Sequence, residues 1–444
     1  MNLNELKIGE RAKVIEVAGQ DKQRQHLLDM GVIPGTEVQA IKRAPMGDPL
    51  EIVLRGYKLA IRNSLAEKVF VDKIKKSEGV QTEIFDFCTK CKTCNRDCAY
   101  FKQDELINET EHPGFGEPGR FHNKNNENPL PEDKTITFVL AGNPNSGKTT
   151  LFNAMTGSNQ HVGNFPGVTI DRKDGQIKGK KDTQLTDLPG IYSLSPYSKE
   201  EVIAREFILN DDVDCIINIV DATNIERNLY LTMQLLQLEH PMVVALNMMD
   251  ELSVNEGSVL VNKLENALGV PIVPISAIKN EGIDELIDHA LHIARYQELP
   301  LQQDFCAVDD RGGSVHRTLH SIMHIIEDHC SQTNNKMHMH KIPVRFAAEK
   351  IAENDKLVFD TLNLNSEDKA AIEHIIKHME EECQLDRSAL IADMRYRYIM
   401  KVCRACVVKG RPSIQSKRSE AADKILTGKW TGIPSFILIM CAIF

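Results

Sequence analysis

The stretch GNPNSGKTTLFNAMTG, Gly142 to Gly157, decides the fold of the central part of the chain. It contains the phosphate-binding pattern G-x-x-x-x-G-K-[ST], with Gly142, Gly147, Lys148 and Thr149 at the fixed positions. The apolar run TITFVLAG precedes the pattern, and the helical stretch KTTLFNAMTG closes it. In this strand–loop–helix context, backbone N–H groups and a helix N-terminus can bind anionic phosphates. The sequence therefore predicts a nucleotide-binding α/β domain.

Further apolar runs recur along residues 135–298. CIINIVDA, PMVVALNMMD and VPIVPISA are continuous rather than alternating, which is typical of strands buried on both faces. Helical stretches separate them, so the pattern indicates a mostly parallel sheet with helices outside, the α/β P-loop class. Residues 299–415 are helical and charged, as in SEDKAAIEHIIKHMEEE, where Ser366 is the predicted N-cap.

The N-terminal residues 1–75 alternate in short strand-like pieces such as AKVIEVA and LEIVL, separated by the turn signals IPGT and PMGDP. We interpret them as a small β-barrel with one helix. Residues 76–134 contain a cysteine cluster and then a stretch rich in Pro, Gly and Asn, which is typical of a linker. Residues 416–444 end in the apolar run WTGIPSFILIMCAIF.

The charge balance limits the partners. With 53 Lys and Arg against 63 Asp and Glu, the formal net charge is −10, which argues against nucleic acid as a partner. The N-terminus MNLNELKIGERAKV has no apolar signal-peptide core, so we expect this part of the chain in the cytoplasm. There, eleven cysteines favour metal chemistry, redox chemistry or buried thiols over a disulfide framework.

Three further motifs specify the nucleotide, and each follows a predicted strand, where open α/β sheets bind ligands. They are DLPG at Asp187–Gly190, NMMD at Asn247–Asp250, and SA at Ser276 and Ala277. The carboxylate of Asp250 can accept hydrogen bonds from both N1 and N2 of guanine, a pair that adenine cannot supply. The sequence therefore predicts GTP and GDP as ligands, with Asn247 supporting the base and its loop.

The phosphate end of the site follows from the same motifs. The ammonium of Lys148 should reach the β- and γ-phosphates, and the hydroxyl of Thr149 should ligate Mg²⁺. Asp187 would hold Mg²⁺ through water, and the N–H of Gly190 would sense the γ-phosphate. Met248 stands where a Lys is usual between the Asn and the Asp, so we expect weaker stacking on the base.

GNPNSGKTTLFNAMTGSNQHVGNFPGVTID and LTDLPGIYSLSPYSKEE closely resemble the GTPase domain of the bacterial ferrous iron transport protein B family. The likeness continues to ADKILTGKWTGIPSFILIM, which resembles the entry to that family's membrane core. Residues 1–75 resemble ferrous iron transport protein A, with an SH3-like barrel. The resemblance implies a fusion with five parts: an SH3-like domain (1–75), a linker with the Cys cluster (76–134), a GTPase domain (135–298), a helical regulatory domain (299–415) and a membrane-proximal segment starting a transmembrane helix (416–444).

The resemblance also implies how the site works. Thr169, in GVT, matches the switch threonine that closes over Mg²⁺ and the γ-phosphate, and Asn145 matches a K⁺-binding position, with a plain loop residue as the alternative. A potassium ion there replaces an arginine finger electrostatically. Ile191 stands where many GTPases have a water-orienting Gln, so we expect slow, K⁺-stimulated hydrolysis. The predicted catalytic residues are Lys148, Asn145, Thr169 and Gly190, and the predicted nucleotide-binding residues are Gly142, Asn143, Asn145, Ser146, Gly147, Lys148, Thr149, Thr150, Asp187, Gly190, Asn247, Asp250, Ser276 and Ala277.

The linker contains CTKCKTCNRDC, with Cys88, Cys91, Cys94 and Cys98. The C-x2-C-x2-C-x3-C spacing matches a ferredoxin-type run, although no Pro follows the fourth cysteine. Four thiolates can hold a [4Fe–4S] cluster or Zn²⁺, and free thiols are the third alternative.

Three histidines, His316, His320 and His324, are spaced four residues apart, so they share one face of a predicted helix. Such a face can bind a divalent metal ion. Surface histidines without a ligand are the alternative.

For the whole protein, the resemblance implies the GTPase module of a ferrous iron transporter at the cytoplasmic face of the bacterial inner membrane. Fe²⁺ is then the transported substrate, and the implied partners are a membrane transport core, its own or separate, and the lipid bilayer at the C-terminus. Homo-oligomerisation stays open. So do two other functions: a soluble Era-like regulatory GTPase, and a metal- or redox-sensing module in which the nucleotide only reports state.

The apolar run from Ile433 to Phe444 is shorter than the roughly 20 residues that span a bilayer. We interpret it as the first part of a truncated membrane span, because basic residues precede it as expected for a cytoplasmic flank. A C-terminal core segment is the alternative.

Overall fold

The computed structural model describes residues 1–19, 22–44, 46–74, 129–157, 160–165, 168–210, 213–254, 257–301, 304–308, 310–332, 342–408, 426 and 431–443. The chain forms two compact units. The first comprises Met1–Asn108, Leu252–Ser258 and Val408–Phe444, and the second comprises Glu109–Glu251 and Val259–Val407.

An antiparallel sheet of five strands forms the N-terminal part of the first unit. Its elements, after a short 3-10 helix at Leu3–Glu5, are β1 (Arg11–Val17), α1 (Lys22–Asp29), β2 (Glu37–Arg43), β3 (Leu50–Leu54), β4 (Tyr57–Ile61), α2 (Asn63–Ala66) and β5 (Val69–Lys73). The strand order is β4-β3-β2-β1-β5. Alternate side chains of β4 are buried, as the alternating sequence predicts. Arg55 and Gly56 both have positive φ and form the two-residue turn between β3 and β4. The predicted SH3-like sheet is confirmed.

A mixed sheet of seven strands is the centre of the second unit. Its strands are β6 (Ile136–Gly142), β7 (Gln160–Asn164), β8 (Asp171–Gly175), β9 (Thr183–Asp187), β10 (Cys215–Asp221), β11 (Met242–Asn247) and β12 (Ile272–Pro274). The order is β12-β11-β10-β6-β9-β8-β7. The five strands from β12 to β9 are parallel, and β8 and β7 extend the sheet in antiparallel pairing. The mostly parallel α/β sheet is therefore confirmed.

Helices connect these strands. They are α3 (Lys148–Thr156), α4 (Lys199–Asn210), α5 (Ile225–Leu236), α6 (Met249–Val254), α7 (Val261–Leu268) and α8 (Ile283–Tyr296). Every residue of β10 and β11 is buried, which explains why these strands are continuous apolar runs in the sequence. Phe138, Phe152 and Leu286 are fully buried in the core between the sheet and its helices.

A helical region follows, with α9 (Ser314–Gln332), α10 (Val344–Ala352), α11 (Lys356–Leu362), α12 (Ser366–Cys383) and α13 (Arg387–Cys406). Each of the last three helices begins after an Asp or Asn whose side chain accepts a hydrogen bond from a first-turn N–H. For α12 this N-cap is Asn365, and Oδ1 accepts from the N–H of Asp368 at 2.7 Å. The prediction of Ser366 as N-cap is thus wrong by one residue.

The helical region packs on the sheet-based part through α13, which lies against α5. Arg395 of α13 is fully buried, contacts the Tyr230 hydroxyl at 3.2 Å and the Glu349 carboxylate at 2.8 Å, and pairs with Glu353. The amide of Gln237 also donates to Glu349 at 2.6 Å. Charged side chains therefore carry this packing in the protein interior.

The C-terminal helix α14 covers Gly432–Ile443, twelve residues. Across the described ranges, no helix combines the length and the apolar character that crossing a membrane requires.

Candidate functional site

The phosphate loop lies between the end of β6 and the start of α3, at the carboxyl edge of the parallel strands. Asn145 and Gly147 have positive φ, 65° and 92°. A Cβ at Gly142 would lie 2.7 Å from the carbonyl oxygen of Ile219, and a Cβ at Gly147 would overlap the amide of Asn247. Glycine is therefore required at both positions. The loop ends at the N-terminus of α3, whose unpaired N–H groups favour an anion.

The ammonium group of Lys148 is held at the same edge. Its Nζ lies 2.9 Å from Oδ1 of Asp187, the last residue of β9, and donates to the carbonyl oxygen of Leu188 at 2.7 Å. The side chains of Lys148 and Asp187 are only 11% and 8% exposed. Thr149 and Thr150, in the first turn of α3, are exposed. The structure thus brings Lys148, predicted for the β- and γ-phosphates, into contact with Asp187, predicted for Mg²⁺.

Asn143, inside the loop, has an unsatisfied side chain. The residue is 3% exposed, and neither Oδ1 nor Nδ2 has a hydrogen-bond partner in the described part of the chain. Ser146, which is 1% exposed, donates its hydroxyl to the carbonyl oxygen of Asn143 at 2.8 Å. A buried amide without a partner costs about 1–3 kcal/mol. The Nδ2 donor of Asn143 therefore fits an acceptor such as a phosphate oxygen of a nucleotide.

Asn247, the last residue of β11, connects the base motif to the phosphate loop. Its Nδ2 donates to the carbonyl oxygen of Ser146 at 2.9 Å, and its Oδ1 accepts from the N–H of Ala277 at 3.0 Å. The side chain is buried, so both bonds are shielded from water. Met248 follows with a φ of 64°, a left-handed conformation that non-glycine residues rarely adopt. One side chain therefore fixes three predicted site segments relative to one another.

Asp250 lies in the first turn of α6 and is partly exposed. Ser276, 2% exposed, accepts a hydrogen bond from the N–H of Lys279 at 3.3 Å, which closes the loop that Asn247 contacts. The base-recognition residues of the sequence analysis thus sit on two neighbouring loops, after β11 and after β12.

The residues expected to respond to the γ-phosphate differ in their placement. Gly190 lies against the phosphate loop, because a Cβ there would be 3.2 Å from Cα of Pro144. The N–H of Ile191 donates to the carbonyl oxygen of Gly142 at 3.2 Å, and its side chain is buried. Thr169 is exposed in the segment between β7 and β8. The structure therefore places Gly190 at the loop.

The other predicted metal residues divide into two groups. Cys88, Cys91, Cys94 and Cys98 lie outside the described residues. The three histidines of α9 lie within the described residues, but they do not all cluster at one place.

His316 and His320 lie side by side, with ring centroids 4.2 Å apart, and they meet Asp304 and Cys306. His324 is exposed and lies 3.4 Å from a carboxylate oxygen of Glu327 instead. The sequence analysis missed Asp304 and Cys306. The only signal for them is an Asp-x-Cys pair ten residues before the first of these histidines.

Three parts of the chain match known protein families. Residues 136–290 match the family described as ferrous iron transport protein B, residues 1–73 match the FeoA domain, and residues 313–408 match the FeoB cytosolic helical domain.

Two curated relatives match this chain over different shares of its length. The Fe(2+) transport protein A/Fe(2+) transporter FeoB fusion protein of Porphyromonas gingivalis is 29% identical over 455 residues, 100% of this chain and 51% of that protein. The Fe(2+) transporter FeoB of Legionella pneumophila (strain Paris) is 37% identical over 314 residues, 69% of this chain and 38% of that protein. The chain thus spans about half the length, or less, of these relatives.

Solved structures match about three fifths of the chain. A GDP-bound mutant of the S. thermophilus FeoB G-domain is 40% identical, with a TM-score of 0.55, and the match covers 61% of this chain and 99% of that one. A second mutant of the same protein, bound to mGDP, matches with a TM-score of 0.55 and the same identity and coverage.

Proposed function

Because the chain belongs to the family of ferrous iron transport protein B, with a FeoA domain at its N-terminus, we propose that it binds GTP with Mg²⁺ and hydrolyses it to GDP and phosphate. The observation that carries the proposal is the Asn247 side chain, which joins the loop of Asp250 to the phosphate loop at Ser146. A ligand that spans these two loops has a base at one end and phosphates at the other. The S. thermophilus G-domain, 40% identical, is bound to GDP.

Guanine is the base that these residues would select. Asp250 would accept hydrogen bonds from N1 and N2 of guanine, and adenine presents no such pair of donors. The loop of Ser276 and Ala277, fixed by Asn247, would contact the other side of the base. Selectivity then comes from one carboxylate, which lies at the start of α6.

The phosphates would lie on the N-terminus of α3. Lys148 would bind the β- and γ-phosphates, and Asn143 would satisfy its buried amide there. Thr149, Asp187 and Thr169 would hold Mg²⁺, which when bound offsets the negative charge of the phosphates. The remaining N–H groups of the loop, from Asn145 to Thr150, would complete the cradle.

Hydrolysis would be slow without a further cation. The Ile191 side chain is buried and apolar, so at this position the chain offers no group that can orient the attacking water. The N–H of Gly190 would bind the γ-phosphate instead. Asn145 is exposed on the loop with a positive φ. Its amide oxygen would hold K⁺, whose charge would stabilise the developing negative charge in the transition state.

In the whole protein, this GTPase would regulate Fe²⁺ uptake at the cytoplasmic face of the cell membrane. The support comes from relatives named Fe(2+) transporter FeoB, of whose length the chain covers 51% or less. Residues 416–444 would lead to the bilayer and a membrane transport core. The helical residues 299–415 would couple nucleotide state to that core, because Arg395 and Glu349 bind side chains of the sheet-based part in the interior.

The linker cysteines would add a metal centre. Four thiols within eleven residues, Cys88 to Cys98, can converge on one ion or cluster without help from a distant segment. We therefore retain a [4Fe–4S] cluster or Zn²⁺ as their ligand, with the cluster first because the spacing is of the ferredoxin type.

The test of the GTPase is phosphate release from GTP and from ATP by the purified full chain in K⁺ buffer with Mg²⁺. We expect phosphate release from GTP only. We expect Lys148→Ala to abolish this release, because the variant lacks the ammonium group that would bind the β- and γ-phosphates. Equal release from both nucleotides, or full activity in Lys148→Ala, would show that the activity does not come from this site.

A further inference from the structure

Four metal-ligating side chains cluster where the chain enters the helical region, and none of them belongs to the nucleotide site. Asp304 and Cys306 lie in the segment before α9, and His316 and His320 lie on α9. Each offers one ligand atom, and these atoms all lie within 4.8 Å of one another. We propose that this cluster, here called the DCHH cluster, binds a divalent transition-metal ion and fits Zn²⁺ best.

The distances are close to those of a tetrahedral site. The Cys306 Sγ lies 2.9 Å from His316 Nδ1 and 2.9 Å from Asp304 Oδ1, and His320 Nε2 lies 3.2 Å from Asp304 Oδ2. Ligand atoms at about 2.0–2.3 Å from a tetrahedral Zn²⁺ are roughly 3.3–3.8 Å from one another. These three gaps therefore need to widen by less than about 1 Å, and a pair near the 4.8 Å limit needs to close by about 1–1.5 Å, which side-chain rotations can supply.

The backbone preorganises both halves of the cluster. His316 and His320 are one helical turn apart, so α9 holds both rings on one face. Between Asp304 and Cys306, the Phe305 ring is buried and packs edge-on against Tyr398 with centroids 5.0 Å apart. This contact with α13 anchors the segment that carries the two flanking ligands. A bound ion would then link the segment that carries Asp304 and Cys306 to helix α9.

The charges of the donors suit a divalent ion. One carboxylate, one thiolate and two neutral imidazoles carry two negative charges, which balance M²⁺. Arg345, 5% exposed, forms an ion pair with Asp304 Oδ1 at 3.0 Å and is itself paired with Glu349 at 3.2 Å. Such an outer partner orients a ligand carboxylate, and the Glu349 charge offsets the guanidinium.

The ligand types also favour a particular class of ion. Sulfur and imidazole donors select Zn²⁺ and its transition-metal neighbours over Mg²⁺ and Ca²⁺, which prefer oxygen. Among these ions Zn²⁺ binds a given site more tightly than Fe²⁺. Four protein ligands form a closed site, which is typical of structural rather than catalytic zinc.

A nucleophilic thiol is the competing interpretation of the Cys306–His316 contact. Reactive cysteines have lowered pKa values. Here burial raises the pKa of the Cys306 thiol to about 12, so the free thiol is not activated.

The experiment uses the full chain with Cys88, Cys91, Cys94 and Cys98 all changed to Ser, so that linker thiols do not bind metal. Zn²⁺ affinity is measured by competition with a chromophoric chelator, and bound zinc is counted after gel filtration. We expect one tightly bound Zn²⁺ per chain. Co²⁺ in its place should give the intense visible bands of tetrahedral coordination and a thiolate-to-metal charge-transfer band.

Two ligand variants and one matched control complete the test. Cys306→Ser and His316→Asn should each weaken Zn²⁺ binding at least about 100-fold, because losing even an outer-shell partner costs 10- to 100-fold. His324→Asn, on the next turn of α9 and outside the cluster, should bind Zn²⁺ as the parent does. Zn²⁺ should raise the melting temperature of the parent and of His324→Asn but not of Cys306→Ser.

Three results would overturn the proposal: no bound zinc in the parent, unchanged affinity in both ligand variants, or a cobalt spectrum without the thiolate band. The four side chains would then lie together because of their mutual hydrogen bonds and would not form a metal site. Tighter binding of Fe²⁺ than of Zn²⁺ under anaerobic conditions would keep the site and overturn the choice of ion. None of these readouts depends on GTP, so the outcome is separate from that of the proposed GTPase.

Discussion

The side-chain amide of Asn247 donates a hydrogen bond to the backbone carbonyl of Ser146, 2.9 Å away. This bond connects the loop after β11, which carries the predicted base motif, to the loop that we propose binds the phosphates. The same side chain accepts from the N–H of Ala277 at 3.0 Å. The distance between the base and phosphate subsites therefore depends on one buried residue.

Replacing Asn247 by Ala should weaken GDP binding by at least about tenfold. The change leaves the Ser146 carbonyl and the Ala277 N–H without partners, and each unsatisfied buried group costs about 1–3 kcal/mol, where 1.4 kcal/mol is a factor of ten. Titration of a fluorescent GDP analogue measures the effect.

Asn218→Ala is the matched control for this change. Asn218 is a buried amide on β10 that donates to the carbonyl oxygen of Ala141 at 3.2 Å. Its loss should lower the melting temperature while the ratio of GDP to ADP affinity stays as in the parent. If Asn247→Ala bound GDP as tightly as the parent, the connection between the two loops would not matter for binding.

Potassium should accelerate GTP hydrolysis severalfold over sodium at equal ionic strength. The reason is that Ile191 is buried and cannot orient water, whereas Asn145 is exposed on the phosphate loop. In Asn145→Ala the rates in the two salts should become equal, while GDP affinity remains within a few-fold of the parent. Equal rates in both salts for the parent chain would contradict the role of Asn145.

Glu353→Gln should destabilise the chain at pH 7 by about 3 kcal/mol, because removing one partner of a buried ion pair leaves the other uncompensated. Glu353 pairs with Arg395 and accepts from Lys350 at 2.8 Å. Burial opposes its ionisation, but the charges of Arg395 and Lys350 outweigh burial and lower the pKa of Glu353. Urea unfolding at pH 7 measures the difference.

The stabilisation that ionised Glu353 provides should decrease as the pH falls. Since the folded pKa of Glu353 is lowered, the stabilisation is complete above about 4.3, the pKa of an unfolded Glu, and is lost as the pH falls through the folded pKa. The parent and Glu353→Gln should therefore converge in stability towards acid. Glu373→Gln, which removes an exposed partner of Arg387, should cost less than about 1 kcal/mol at pH 7. If the free energy of unfolding of the parent and of Glu353→Gln fell in parallel with decreasing pH, the role of Glu353 would be contradicted.

The linker cysteines should hold metal when the chain is purified without oxygen. A brown protein with iron and sulfide would support a [4Fe–4S] cluster on Cys88, Cys91, Cys94 and Cys98, and a colourless one with zinc would support the alternative. Changing all four to Ser should remove that metal while any Zn²⁺ on the DCHH cluster remains. Four titratable thiols in this stretch and no metal would contradict the prediction.

The parallel sheet could be predicted from the sequence because β10 and β11 are buried on both faces and are uninterrupted apolar runs. The phosphate loop and the base motif could be placed because both follow such strands. The contact between Asn247 and Ser146 could not, because it joins residues 101 positions apart and no local pattern encodes it.

Local sequence patterns do not predict the full DCHH cluster either. Periodicity places His316 and His320 together on one helix face, but it also includes His324, which faces solvent. Asp304 and Cys306 come from an irregular segment, and their contacts with His320 and His316 join parts of the chain that no local pattern connects. At the start of α12, Asn365 and Ser366 can both cap a helix, and the sequence does not decide between them.

The nucleotide specificity of Asp250 tests the central claim most directly. Affinities for the diphosphates of guanosine, adenosine and xanthosine are measured with the parent chain and with Asp250→Asn. The parent should prefer guanosine diphosphate, and Asp250→Asn should lose that preference and gain xanthosine diphosphate, because its amide can donate to the xanthine oxygen that replaces the guanine amino group. Unchanged guanine preference in Asp250→Asn would contradict the assignment of this site.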